Sequence, residues 1–216
     1  MNISKVVSLL FAIASFYSVG KCQEPLEIVK ICESTEDILL DEASNTVCFN
    51  GLIDHSTPSL VKALPIDRKR PLRVVANSDG GIVNPSIDIA EYLGKYDIYV
   101  SRHCISACSQ FLFMQAENKY VVHDGVVAIH GGPVPVKDII DLDFTDEVKI
   151  NLIRENLRFE QFYHERNINM DILINPPKHL HERLAAGEIV FWMPEKSEFE
   201  RNGVQNIHYC NSKFGK

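Results

Sequence analysis

From residue 46 onward, apolar and polar positions fall into blocks that read alternately as strand and helix. Thr46 to Ile53 (TVCFNGLI) reads as a strand, and His55 to Ala63 as a short helix opened by Ser56 or Thr57 with Pro58 in its first turn. Leu72 to Ala76 is a short unbroken apolar run, the pattern of a strand buried on both faces, and it ends in the turn Asn77-Ser78-Asp79-Gly80-Gly81. Ile87, Ile89, Ala90 and Leu93 recur at helical spacing, with Gly94 at the helix end. Ile98 to Val100 gives another strand, and Arg102 to Cys108 is a second junction, leading into the very apolar helix Ser109 to Ala116. That helix must be buried.

Tyr120 to Val122 and Val126 to Ile129 read as strands about the turn His123-Asp124-Gly125, and the second runs into His130-Gly131-Gly132-Pro133. Asp146 to Arg166 carries apolar residues at the spacing of one long amphipathic helix. Met170 to Ile174 and Leu180 to Ala186 read as short helical pieces around Pro176-Pro177, and Ile189 to Trp192 as a last strand. Strand and helix in alternation predict an α/β fold, a mostly parallel sheet with flanking helices and right-handed crossovers.

The chain opens differently. Lys5, an apolar run from Val6 to Phe16 and the small residues Ser18 and Gly20 have the order of a secretory signal peptide, with cleavage near Gly20. The run is too short to span a bilayer, although an uncleaved N-terminal anchor is the alternative. The expected organisation is a signal peptide at 1–20 and one domain at 21–216. The formal charge of -7 becomes more negative once Lys5 is lost, and the only basic cluster is Arg68-Lys69-Arg70. A nucleic-acid partner is therefore not expected. Cys22, Cys32, Cys48, Cys104, Cys108 and Cys210 all lie beyond the leader, and an even count in an exported chain points to disulfides. Cys32 with Cys48, flanking a hairpin around Asn45, is the preferred pair, and Cys22 with Cys210 would tie the two ends together.

A hydroxyl becomes a nucleophile when a base lies within hydrogen-bond reach and donors await the oxyanion. Ser106 stands where a strand meets a buried helix, a corner that lifts a side chain out and leaves free N–H groups at the helix start. His130 ends a later strand beside two glycines, and Gly80 and Gly81 allow backbone N–H groups to face a site unobstructed. Each has a plainer reading: Ser106 as a helix cap, His130 as a hydrogen-bonded strand end, the glycines as a turn. Their combination favours chemistry. Cys104 or Cys108 as nucleophile, and a Ser/Lys pair using Lys119 at a strand start, fit less well. His179, His181 and Glu182 match no usual zinc spacing, so neither metal nor cofactor is expected.

The stretch from Val74 to Pro133 resembles the core of the Clp-type serine peptidases and of exported Clp-protease-like proteins, within the crotonase-like superfamily. The family's Ser-Pro-Gly-Gly turn reads Ser78-Asp79-Gly80-Gly81 here, its serine elbow Ser106-Ala107, and its histidine follows 24 residues later at His130. The resemblance implies a Clp-protease/crotonase-like fold, an oxyanion hole from the N–H of Gly80 or Gly81 with that of Ala107, and proteolytic chemistry. Asp79 replaces the family's proline and brings a negative charge toward that hole. Cys104 and Cys108 replace small residues of the elbow, where a disulfide would brace the corner. The family's orienting aspartate falls at Ala185 to Gly187, where none stands; Glu188 and Asp171 are the nearest candidates.

Two functions follow. One is an exported, periplasmic or secreted serine hydrolase acting on short or unfolded peptides, possible as a homo-oligomer and without an ATP-driven unfoldase. The other is a non-catalytic module of the same fold that binds a peptide or partner protein in the inherited cleft.

Overall fold

The structure, a computed structural model, describes residues 22–35, 37–188 and 191–210. The expected signal segment lies outside the described residues. Strands β1 (Leu39–Asp41), β2 (Thr46–Asn50), β3 (Arg73–Ser78), β4 (Asp97–Ile105), β5 (Lys119–Val122), β6 (Val126–Ala128) and β7 (Ile207–Cys210) form one sheet. Its order is β1-β2-β3-β4-β5-β7, with β6 beside β4. Every pairing is parallel except β1 with β2, an antiparallel hairpin whose turn contains Asn45 at φ 53°.

The apolar runs explain the centre of the sheet. Val47, Cys48 and Phe49 in β2 and Val74, Val75 and Ala76 in β3 have no accessible surface, as strands covered on both faces require. The pleat sends alternate residues to two cores. Val74, Ala76, Ile98 and Val100 join the main core under helices Thr57–Ala63 and Val83–Leu93 and the helix after Ser106. Val75, Tyr99 and Val122 face a second core with Ile28, Val29 and Cys32, supplied by a helix at residues 22–31.

β4 places the site. Its first half, Ile98–Val100, pairs with β5, and its last residues, His103–Ile105, pair with β6. The chain shifts from one register to the other at Gly125, where a Cβ would lie 2.4 Å from the Val100 carbonyl oxygen. Only glycine fits that approach. β3 and β4 slip register between Ala76 and Ser78, so Ser78 pairs with Cys104 at the end carrying the glycine turn and Ser106.

Several elements differ from the sequence pattern. The last strand is Ile207–Cys210; Ile189 and Val190 lie outside the described residues, and Trp192 makes only an isolated antiparallel bridge to Ile129. β7 is four residues long, too short to show periodicity. Residues 22–31 are helical, Pro25 included, which the apolar pattern there does not predict. The long helix runs from Asp146 to Glu165, with Phe159, Phe162 and Tyr163 buried near its C-terminal end and Val148, Ile150 and Leu157 exposed. The structure joins Cys22 to Cys210, Cys32 to Cys48 and Cys104 to Cys108.

Lys119 starts β5 and is buried, its ammonium donating to the carbonyls of Ala116 and Gln205. Burial pulls its pKa down to about 8. The unfolded lysine, titrating near 10.5, binds more protons between those values, so this group makes folding stability rise with pH. Above pH 10 the buried Tyr96 and Tyr99, held protonated by desolvation, act the other way. Denaturant unfolding between pH 8 and 10 should therefore show a rise of up to about 1.4 kcal/mol per pH unit that disappears in Lys119→Met. An equal slope in both proteins would refute this account of Lys119.

Candidate active site at the Ser106 corner

Ser106 follows the last residue of β4 and precedes a helix at residues 107–115, of which Cys108–Phe113 is wound as a π-helix. Its φ of 55° is a left-handed conformation that costs a serine roughly 1–2 kcal/mol. Surrounding bonds fix it there. The Ser106 N–H donates to the Ala128 carbonyl (3.0 Å) and its own carbonyl accepts the Gln110 N–H (2.9 Å). The buried Ser109 hydroxyl lies within hydrogen-bond distance of both the Ser106 and Ala128 carbonyls (2.8 and 2.7 Å). The Cys104–Cys108 disulfide closes around the corner with both residues fully buried. Neither cysteine is a thiol nucleophile in this form.

His130 continues β6 beyond Ile129, whose N–H and carbonyl both pair with Trp192. Its Nε2 is 2.6 Å from the Ser106 Oγ. In the Nδ1–H tautomer, Nε2 accepts the serine hydroxyl proton, the arrangement a general base needs. Phe191 packs against the imidazole edge-on, ring centroids 4.9 Å apart. Burial lowers the His130 pKa below its ordinary 6.5 and keeps the ring neutral at neutral pH.

The glycine turn comes close to the elbow, with roles that differ between its residues. The Gly80 N–H is directed to the Ser78 hydroxyl (3.1 Å), so it is not free for an oxyanion. A Cβ on Gly80 would meet the Ala107 nitrogen at 2.7 Å and the Ser106 Cβ at 2.8 Å. Gly80 thus clears the face of the Ala107 N–H, at the helix start where amides lack helical acceptors. Ile53 pairs with the Gly80 carbonyl and the Ile82 N–H, which turns the intervening Gly81 N–H the other way, toward the β4 side. Asp79 is turned outward, its carboxylate 3.2 Å from the His103 Nε2 and largely exposed.

The two carboxylates considered as orienting acids are engaged elsewhere. Glu188 accepts from Arg183 Nε (2.6 Å), and Asp171 accepts from Asn169 Nδ2 (3.1 Å). Asp171 lines a cavity of about 270 Å³ with Trp192, Glu198 and Arg201, and neither Ser106 nor His130 borders it. Among the described residues no carboxylate lies within ion-pair distance of His130. Lys119 is held at the far end of the elbow helix, and the His181 Nε2 is hydrogen-bonded to the Pro176 carbonyl. No group of three metal-ligating side chains occurs among the described residues.

Sequence reasoning missed Gln110, Ser109 and Phe191. The first two leave a trace, as polar residues inside the apolar run CSQFLFMQA. Phe191 leaves none, since its role depends on a bridge between distant segments.

Neither a protein-family model nor a curated protein matches the chain. Among solved structures it is similar to that of a ClpP1 mutant from Listeria monocytogenes, with 16% sequence identity, covering 79% of this chain and 94% of that one, at a TM-score of 0.47.

The electrostatic reading is testable without a substrate. NMR titration of the imidazole C–H groups should give His130 a pKa below 6.5, moving back toward it in Phe191→Ala as water reaches the ring. Because the unfolded histidine then binds more protons, this group's contribution to stability is lost as pH falls below 6.5. A His130 pKa above 6.5 would indicate an undetected negative partner.

Proposed function

We propose that this chain is an exported serine hydrolase, a peptidase on a Clp-protease-like fold, formed by one domain that follows its leader. The observation that carries the reading is the 2.6 Å contact between Ser106 Oγ and His130 Nε2 at a left-handed strand-to-helix corner. A serine held in that conformation by four separate constraints is what nucleophilic attack requires and what a simple helix cap does not.

In this reaction Ser106 Oγ bonds to the substrate carbonyl carbon as its proton passes to His130 Nε2. The carbonyl electron pair moves to oxygen, and that oxyanion faces the N–H groups of Gly81 and Ala107. Collapse re-forms the carbonyl and breaks the bond to the leaving amine, which takes the proton from Nε2. Water repeats the sequence on the acyl-enzyme, with His130 again as base, and releases the acid and free Ser106.

The three disulfides fit an extracellular or periplasmic location. No ATP-driven unfoldase operates there, so substrates are short or already unfolded peptides, whether the enzyme acts alone or as a homo-oligomer. The absence of a carboxylate beside His130 among the described residues favours a second reading, a non-catalytic module that holds a peptide or partner protein in the cleft. Loss of the orienting acid from a triad costs about 10⁴-fold in rate, so the hydrolase reading predicts a slow enzyme.

A fluorophosphonate probe separates the two readings. The oxidised wild type should label, Ser106→Ala should not, and His130→Ala should label at least about 10²-fold more slowly. Folded, oxidised wild type that takes up no probe would overturn the hydrolase reading and leave the binding module.

A further inference from the structure

The two partners of the pair sit on different elements, and the bond between them depends on what fixes one element against the other. Ser106 is held by the corner. His130 is less secured: the last backbone pairing before it is Ile129 with Trp192, and the chain then passes through Gly131, at φ 39°, and Gly132. Backbone this permissive does not define a side-chain position by itself.

Gln110 supplies the link. It lies one turn beyond Ser106 on the elbow helix and is only 4% exposed. Its carboxamide nitrogen donates to the carbonyl of His130 (2.6 Å) and to that of Gly131 (2.9 Å), one bond for each of its two protons. Gln110 is itself anchored, since its N–H binds the Ser106 carbonyl and its carbonyl accepts the buried Tyr163 hydroxyl (2.9 Å). One side chain therefore ties the peptide that carries the base to the turn that carries the nucleophile.

We propose that Gln110 is the positioning residue of the Ser106 and His130 pair, setting their separation through the backbone in place of a carboxylate acting on the ring. The proposal rests on the hydrolase reading for its catalytic consequence, while its geometric content stands on His130 alone. The role is specific to a buried amide donor. Gln110→Met keeps the length and loses both donors, and Gln110→Glu sets an acceptor against two carbonyl acceptors.

The test measures fluorophosphonate labelling rates well below the unfolding temperature of each variant, together with the NMR titration of His130. Lys119→Met serves as a control for a buried loss at the other end of the same helix. Gln110→Met is expected to label roughly 10²-fold more slowly, as for a misplacement of about 1 Å, with its near-UV circular dichroism intact. Its His130 pKa is expected to move up toward 6.5, while Lys119→Met labels at the wild-type rate. Labelling of folded Gln110→Met at the wild-type rate would overturn the proposal and leave the hydrolase reading standing. If wild type takes up no probe, the hydrolase reading fails separately. The His130 titration then decides: a shift in Gln110→Met supports the positioning role, and an unchanged titration rejects it.

Discussion

The left-handed turn at Ser106 is the constraint on which the rest of the site depends. A β-strand cannot enter a helix pointing back along the sheet without a residue leaving the extended region, and here that residue is a serine at φ 55°. The strain, about 1–2 kcal/mol, is tolerated because the surroundings leave no alternative. The Ala128 carbonyl holds the amide, the Ser109 hydroxyl meets the carbonyl, the Cys104–Cys108 bond fixes both flanks, and Gly80 packs without a side chain against the turn. The π-helical winding of Cys108–Phe113 belongs to the same arrangement. Such winding inserts a residue into the helical repeat and is commonly found beside functional sites.

The outer disulfides act on a different scale. The Cys32–Cys48 bond closes a loop of 16 residues and the Cys22–Cys210 bond one of 188, for which loop-closure entropy gives about 3 and about 5 kcal/mol. Both attach helix 22–31 to the sheet, to β2 and β7 respectively, where it covers the face opposite the elbow helix. Cys104–Cys108 spans only four residues and constrains little chain entropy in the unfolded state. Its effect is local, on the shape of the corner.

Much of the architecture is legible in the sequence because buried parallel strands write themselves as unbroken apolar runs. Leu72 to Ala76 and Ile98 to Val100 are of this kind, and the turn after the first run and the corner after the second bring Gly80, Gly81 and Ser106 to one end of the sheet. What escapes is non-local or short. β7 has four residues, and Phe191 reaches His130 through a bridge between segments more than sixty positions apart. Gly80 shows how a location can be legible while its contacts are not: spacing puts it at the corner, but only coordinates reveal that its N–H donates to Ser78 and that a Cβ there would meet the Ala107 nitrogen. Asp79 is a further case, since its charge would oppose an oxyanion only if the carboxylate faced inward, and His103 holds it outward.

With no carboxylate beside His130 among the described residues, the balance of the proposed reaction changes as well as its rate. In a triad the acid stabilises the imidazolium that forms when the base takes the serine proton. His130 has burial and an aromatic edge instead, and burial disfavours the charged ring. In the proposed reaction the demand falls on attack by Ser106, since the lowered pKa makes His130 a weaker base and burial opposes its protonated form. The same lowered pKa makes the imidazolium a stronger acid, which favours proton transfer to a departing amine. A site of this kind depends on geometry held in advance, since a weak base must already be in hydrogen-bond contact with its hydroxyl for the transfer to compete. That places the demand on the backbone connecting the two residues, and it gives a physical reason for a buried amide to link the carbonyls of His130 and Gly131 to the helix of Ser106.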